Sequence, residues 1–449
     1  MSSAGMLPSS PSARVLVLKD SPPEIIASAD VPPKGRSYTT EYAKQPGAVT
    51  AEDLLLGTKL ACIAITDDKE GTLKNVGKTN PWQIQALTII TGSVEEAHKP
   101  LTHILKEHFD LTCDTIIDVH GLKGGHFHDT QGYIAHNDEI IVLSYRCTTS
   151  GFDWLTNIST TSSAWEPEED IGQGHSGTCS CFDFLWKNNN GNLPRAHTGF
   201  YSNFICSGPM IKQYITPLLA PDQPPRKLYV VGHSLGAGVA TVACCYFLTS
   251  FNWAELPHKF VTVTAGSPRA VQVRMQERIQ GIMKELRPLD KAVIARIVRD
   301  KDTVATVPPE ILGFRHLDKL VYISKDGRIL VNPNLGSKQV VDEEVMEQTL
   351  ADDPTFDSTF EDIDSVEVKT KYDKMISKIP APFRDHMPEF YLEPLIKLME
   401  REIAGDITCA WTDIIDGEGI EVTASMFAKE VAKQGQVTNR GCIWNRISS

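Results

Sequence analysis

The stretch whose reading decides the fold is Lys227–Ala240, KLYVVGHSLGAGVA. KLYVV is short, rich in β-branched residues and nearly continuous in apolar ones, the pattern of a strand buried on both faces of a mainly parallel sheet. Gly232-His233-Ser234-Leu235-Gly236 follows, and Ala237–Phe247 beyond it is compatible with a helix. Two glycines allow a tight strand-to-helix turn with the serine at its apex, presenting Oγ at the carboxyl edge of the sheet. The helix N-terminus and the Leu235 N–H then lie close to any oxyanion formed there. Gly-x-Ser-x-Gly also arises by chance, and its plainer reading is a structural glycine turn. The strand before it and the small residues Ala237, Gly238 and Ala240 after it favour a nucleophile elbow.

Similar short apolar runs flank the elbow on both sides: Glu139–Tyr145, Phe260–Thr264 and Val293–Val298. They alternate with helix-like stretches from about Ala51 to Met399, which predicts an α/β fold with a central, mostly parallel sheet flanked by helices. Leu320–Ile323 and Arg328–Val331, joined around Asp326-Gly327, read as a hairpin. Residues 1–50, punctuated by Pro22-Pro23 and Pro32-Pro33, read as a tail or strap. Residues 51–404 form the predicted α/β domain, and 405–449 an extension of unassigned role. Two insertions interrupt the domain: Ser159–Leu193, rich in Ser, Gly and Asn, and the acidic segment 342–367.

The chain has 449 residues, 41% hydrophobic and 22% charged, a globular composition. Its formal net charge is −13, and the acidic segment alone holds eleven acids and no Lys or Arg, so the remainder is close to neutral. No basic surplus is available to meet phosphates, which argues against a nucleic-acid partner. No apolar run reaches the roughly 18–20 residues of a bilayer span. Val15–Leu18 is too short for a secretory signal, so a cytoplasmic setting with reduced cysteines is expected, with organelle targeting and association with lipid droplets or membrane surfaces left open. His175 with Cys179 and Cys181, and His126 with His128, are weak metal signals that lack a full ligand set. No phosphate loop or nicotinamide fingerprint appears, so no cofactor is expected.

GHSLGAGVAT resembles the elbow of the class 3, or fungal-type, lipases of the α/β-hydrolase superfamily. Collinear likenesses accompany it from about residue 130 to 392. Thr130-Gln131-Gly132-Tyr133, EIIVLSYRCT and Asp153-Trp154-Leu155 resemble the family's strand, oxyanion loop and lid start. His197-Thr198-Gly199-Phe200 and Ala265-Gly266-Ser267-Pro268-Arg269 are similar to its segments before and after the elbow.

The resemblance implies an ester hydrolase. A serine is a weak nucleophile at its free pKa, so it needs a base and an orienting acid, in the chain order Ser, Asp, His. Asp302-Thr303-Val304 with Pro308-Pro309 resembles the family's acid segment, with Asp300 as the alternative. For the base, His386 in Arg384–Tyr391 resembles the family's base segment, while His316 resembles a structural position. His233 is expected to pack away from the reacting edge. Thr148 and Leu235 are the implied oxyanion donors, although Cys147 stands where the family has glycine. Residues of about 148–196 occupy the lid position, an amphipathic cover for transient association with a lipid interface. The implied substrates are acylglycerols. Alternatives are sn-1 hydrolysis of phospholipids or galactolipids and, from another class, a catalytically idle scaffold.

Overall fold

Alternation along the central strands sends successive side chains to opposite faces of one sheet, and both faces are covered. The computed structural model describes residues 13–17, 47–66, 81–123, 126–147, 161–165, 193–317, 319–325, 327, 329–331, 377, 379 and 381–403. Among them the strands are β1 (Ala13–Val17), β2 (Thr112–Lys123), β3 (His126–His136), β4 (Ile140–Tyr145), β5 (Ser162–Ala164), β6 (Arg195–His197), β7 (Lys227–His233), β8 (Lys259–Ala265), β9 (Val271–Gln272), β10 (Ala292–Arg299), β11 (Phe314–Arg315), β12 (Lys319–Ile323) and β13 (Ile329–Val331). The helices are α1 (Ala51–Ile63), α2 (Pro81–Thr91), α3 (Val94–Ala97), α4 (Leu101–Phe109), α5 (Thr198–Leu218), α6 (Leu235–Ser250), α7 (Val273–Leu286), α8 (Ala381–Arg384) and α9 (Glu389–Ile403).

The main sheet runs β1-β2-β3-β4-β7-β8-β10-β12-β13. Its centre, β4-β7-β8-β10-β12, is parallel, and the wings pair antiparallel. β12 and β13 form the antiparallel pair anticipated around Gly327. Within the segment read as a tail or strap, β1 adds to the outer edge of β2. A second sheet, β11-β9-β6-β5, was not legible from the sequence, because its strands are only two or three residues long.

Tyr229, Val231, Val261, Val263 and Ile297 face one side, where Leu54 and Leu60 of α1 and Leu395 of α9 cover them. Leu228, Val230, Phe260 and Ile294 face the other side, beneath Phe204 of α5, Val242 and Phe247 of α6 and Ile279 of α7. Each fully buried side chain of this size stabilises the fold by roughly 1.5–3 kcal/mol. That continuous apolar reading, rather than strict alternation, is what a sheet covered on both faces requires.

α1 is tied to the sheet by polar contacts as well. Thr50 caps the helix by accepting the Asp53 N–H at 3.0 Å. Asp53, 1% exposed, accepts from Lys227 Nζ at 2.8 Å and Tyr229 OH at 2.5 Å. Burial works to raise this carboxyl, but the Lys227 charge and the hydrogen bonds hold it below its usual range. Tyr133 OH and Ser144 Oγ both donate to the Leu60 carbonyl, fixing the same helix over β3 and β4.

Candidate active site

β7 ends at His233 and α6 begins at Leu235, so the turn between them consists of Ser234 alone. Ser234 holds φ 59° and ψ −128°, a conformation that costs a non-glycine residue about 1–3 kcal/mol. The neighbours over-determine it. Its N–H donates to the Ala265 carbonyl at 3.0 Å, and its own carbonyl accepts from Ala237 and Gly238. The elbow is also too tight for larger residues: a Cβ on Gly232 would stand 2.4 Å from the Gly236 carbonyl carbon, and one on Gly236 2.3 Å from the Tyr145 carbonyl oxygen.

Asp302 and His386 arrive at this apex from opposite ends of the remaining chain. Asp302 sits three residues beyond the end of β10, with its backbone N–H on the Arg299 carbonyl. His386 lies between α8 and α9, its N–H bound to the Phe383 carbonyl. His386 Nδ1 is 2.8 Å from Asp302 Oδ2, and Nε2 is 2.8 Å from Ser234 Oγ. A carboxylate only accepts, so Nδ1 carries the proton and Nε2 of the neutral ring is free to accept from the serine hydroxyl. Ser234, Asp302 and His386 are all buried.

The two competing residues are occupied elsewhere. Asp300, at φ 25°, accepts from Tyr322 OH at 3.0 Å. His316 Nε2 donates to the Ala305 carbonyl at 2.7 Å, and burial, followed by the Arg296 and Arg269 charges, keeps its ring neutral.

Two further side chains belong to the site but were given no part in it from the sequence. Tyr391 of α9 donates its hydroxyl to Asp302 Oδ2 and accepts the Arg299 N–H at 3.3 Å. With Val304 N–H on Oδ1 at 2.8 Å, Asp302 receives three donors. Tyr391 stands in the segment quoted for the base, and its position there was the available signal.

The second is His233, expected to pack away from the reacting edge. It packs instead on the base: the two imidazoles stack at 4.9 Å with 27° between planes, and His233 Nε2–H donates to the His386 carbonyl at 2.9 Å. Burial, with the neighbouring His386, pushes the His233 ring down to about 3, so it is neutral. β7 points this residue toward α9 because Tyr229 and Val231, four and two positions earlier, face the same side.

For the oxyanion, Leu235 opens α6, where the first N–H groups have no intrahelical partner. Thr148 lies outside the described residues. Cys147 is buried, its backbone has no positive φ, and burial lifts its thiol to about 12. Replacing the family glycine there needs no left-handed backbone, and the thiol packs in the core.

The predicted lid over 148–160 and 166–192, the acidic segment 342–367, the extension from 405 and the His175, Cys179 and Cys181 group also fall outside the described residues. Among the described residues no cluster of three or more His, Cys, Asp or Glu is arranged to hold a metal, and no helix is long and apolar enough to cross a membrane.

A serine at a strand-to-helix elbow, on a parallel sheet and hydrogen-bonded to a histidine that an aspartate orients, is the arrangement that serine hydrolases of the α/β-hydrolase fold use. The profile of the family described as lipase (class 3) matches residues 142–312 of the chain. Phospholipase A(1) DAD1, chloroplastic, of Arabidopsis thaliana is 26% identical over 186 residues, 40% of this chain and 36% of the relative. The chain thus spans little more than a third of the length of that curated relative.

Among solved structures, lipase II from Rhizopus niveus is 20% identical with a TM-score of 0.36, covering 56% of this chain and 82% of its own. The mono- and diacylglycerol lipase from Aspergillus oryzae is 17% identical with a TM-score of 0.38, covering 63% and 86%.

Proposed function

We propose that this chain is a serine carboxylic-ester hydrolase acting on lipid esters, with Ser234 as nucleophile, His386 as general base and acid, and Asp302 as the orienting carboxylate. The observation that carries the reading is the unbroken relay Asp302 Oδ2, His386 Nδ1 and Nε2, Ser234 Oγ, at 2.8 Å on each side of the ring. Ser234 Oγ attacks the ester carbonyl carbon while its proton passes to His386 Nε2. The negative charge developing on the carbonyl oxygen meets the Leu235 N–H and, by family resemblance, the Thr148 N–H. Collapse breaks the bond to the alcohol, which leaves with the proton from Nε2. Water, deprotonated by the same nitrogen, then attacks the acyl-enzyme and releases the carboxylic acid. Asp302 stays ionised and supports the imidazolium in each half-reaction.

The substrates are acylglycerols in the first reading, which rests on the family resemblance. The second reading, phospholipid hydrolysis, is favoured by the likeness to the Arabidopsis relative, a phospholipase A(1). Contact with a lipid interface through the lid segment belongs to the same proposal.

Labelling by a fluorophosphonate probe, with loss of label in Ser234→Ala, is the expected result. A panel of tri-, di- and monoacylglycerols and phospholipids, each emulsified, then separates the two substrate readings by relative kcat/KM. Purified protein that neither takes the label nor hydrolyses short p-nitrophenyl esters overturns the enzyme reading in favour of an idle scaffold.

A further inference from the structure

Among the described residues four large apolar side chains are exposed: Leu193, Leu289, Ile311 and Leu312. Leu289 stands at the amino end of β10, in the turn Arg287–Leu289. The other three gather on one edge of the small sheet. β6 and β11 both pair antiparallel with β9, one on each side of it, so they enter the sheet from the same edge. Ala196 of β6 and Arg315 of β11 lie opposite Val271, and Leu193 and Leu312 each precede those residues by three positions. The two leucines therefore flank β9 at about the same level. Ile311 adjoins Leu312 and is 93% exposed. Single exposed aliphatic residues are ordinary, whereas several on one edge mark an interaction surface.

The turn that presents Ile311 is braced to hold it outward. The Leu312 and Gly313 N–H groups donate to the Pro309 and Glu310 carbonyls at 3.1 and 2.9 Å, and Arg315 Nη1 donates to the Glu310 carbonyl at 2.7 Å. Gly313, at φ 85°, then turns the chain into β11. The edge belongs to the end of the molecule that carries the triad. β9 is reached from β8 through Gly266, which lies against Asp302 and His386, and β11 is reached from β10 through Asp302 itself.

Area and charge identify the occupant. Three aliphatic side chains offer on the order of a few hundred Å², well short of the roughly 1,200–2,000 Å² that a specific protein–protein interface buries. A lipid surface is fluid, needs no matching shape and accepts a small apolar tip. The charges beside the edge are occupied within the chain. Arg315 pairs with Glu310 at 3.3 Å. Arg195, two residues past Leu193, gives its guanidinium to Ser162 Oγ at 2.9 Å and to the Ser162 carbonyl. The edge thus offers neither a basic cluster to seek anionic headgroups nor an acidic one to repel them, and it suits a zwitterionic surface.

We propose that Leu193, Ile311 and Leu312 form a docking edge for a zwitterionic phospholipid membrane, which rests on the reading of the substrates as lipid esters. The three side chains enter the interfacial layer and turn the triad end of the molecule toward the lipid. Ile311 and Leu312 lie outside the lid segment, so this is a second contact with lipid beside the one proposed for the lid.

Cosedimentation of the full chain with vesicles of diether phosphatidylcholine, which an esterase cannot cleave, tests the edge. The parent protein is expected to bind, with an affinity that added sodium chloride leaves unchanged. Ile311→Ser combined with Leu312→Ser lowers the partition coefficient at least about tenfold, the effect of withdrawing one aliphatic side chain from the apolar layer. Leu193→Ser, on the other flank of β9, weakens binding by itself, so the test does not hang on one turn. Leu289→Ser, at the far end of β10, binds as the parent does. Turnover of p-nitrophenyl butyrate by the same preparation is followed separately, and its absence counts against the hydrolase reading rather than the edge. No vesicle binding by a parent protein that turns over the ester overturns the docking edge. Equal binding by the parent and the doubly substituted chain, or a loss shared by Leu289→Ser, overturns it as well. So does a dimer of the parent chain that the Ile311 and Leu312 substitutions dissociate, since the edge then belongs to a second copy.

Discussion

Replacing His233 with phenylalanine tests whether the residue beside the nucleophile holds the base in place. Phenylalanine keeps a ring against His386, where the stack stands at 4.9 Å, and deletes the Nε2–H that reaches the His386 carbonyl at 2.9 Å. No other donor among the described residues reaches that carbonyl, and His386 is only 6% exposed. A buried acceptor left unmet costs about 1–3 kcal/mol. If the base loop bears that cost as the imidazolium forms, kcat falls about 5- to 150-fold with KM little changed. The assay is steady-state hydrolysis of a short p-nitrophenyl ester across pH. His233 stays neutral down to about 3, so a neutral replacement leaves the limbs of the pH profile where they were. His233→Gln, which restores a donor without the ring, recovers part of the loss. An unchanged kcat in His233→Phe, or a displaced acid limb, refutes the assignment. The same residue ties stability to pH. Its ring is harder to protonate in the folded chain, at about 3 against an ordinary 6.5. Its contribution is therefore complete above pH 6.5 and lost as pH falls toward 3, and His233→Phe loses less stability on acidification than the parent does.

Two other substitutions have clear signs. Glu389 opens α9, is buried, and leaves both carboxyl oxygens unpartnered. Burial, reinforced by Glu393, lifts it from 4.5 to about 8. The folded chain thus holds a proton that the unfolded chain releases above pH 4.5, and stability falls as pH rises through that window. Glu389→Gln removes the dependence, so its Tm advantage over the parent grows between pH 5 and 8.5; an advantage that does not change with pH contradicts this. Gly266, at φ +57°, lies against the triad, where a Cβ would come within 2.8 Å of both Asp302 Oδ2 and His386 Cε1. Gly266→Ala is expected to lower kcat at least about tenfold and stability by about 1–2 kcal/mol, from clash and from left-handed backbone. Parent-like kcat with an undisturbed relay in a crystal structure of the variant contradicts that reading.

The elbow was legible because everything that makes it is local. A strand, one serine and a helix lie within Lys227–Ser250, and each has its own periodicity or turn chemistry in the sequence. The central strands were legible for the same reason, as runs buried on both faces. The small sheet β11-β9-β6-β5 was not, since two or three residues carry no period. The partners of Ser234 are a different case. Asp302 and His386 stand 68 and 152 residues further along the chain, and resemblance to a family, rather than spacing, pointed to them. His233 shows the limit of the local reading. Its neighbours Tyr229 and Val231 reveal which face of the sheet it occupies, but not that the base loop crosses that face.

The choice between Asp300 and Asp302 shows what the sequence leaves open and what packing decides. Both follow β10 closely, both are acids, and a separation of two residues puts them on the same side of an extended chain. The strand ends at Arg299, and the residues after it are not extended: Asp300 adopts φ 25° while its N–H stays on the Ile323 carbonyl of β12. That bond keeps Asp300 with the sheet, where Tyr322 of β12 takes its carboxylate. The chain then turns back, with the Asp302 N–H on the Arg299 carbonyl, and presents Asp302 to α9. Two tyrosines on two elements thus divide the acids between them. Tyr322 holds Asp300 at the sheet, while Tyr391, whose hydroxyl also accepts the Arg299 N–H, holds Asp302 beneath the histidine. The Arg299 N–H and carbonyl anchor the two sides of this turn, so the position of the triad acid follows from the end of β10 and the docking of α9 together.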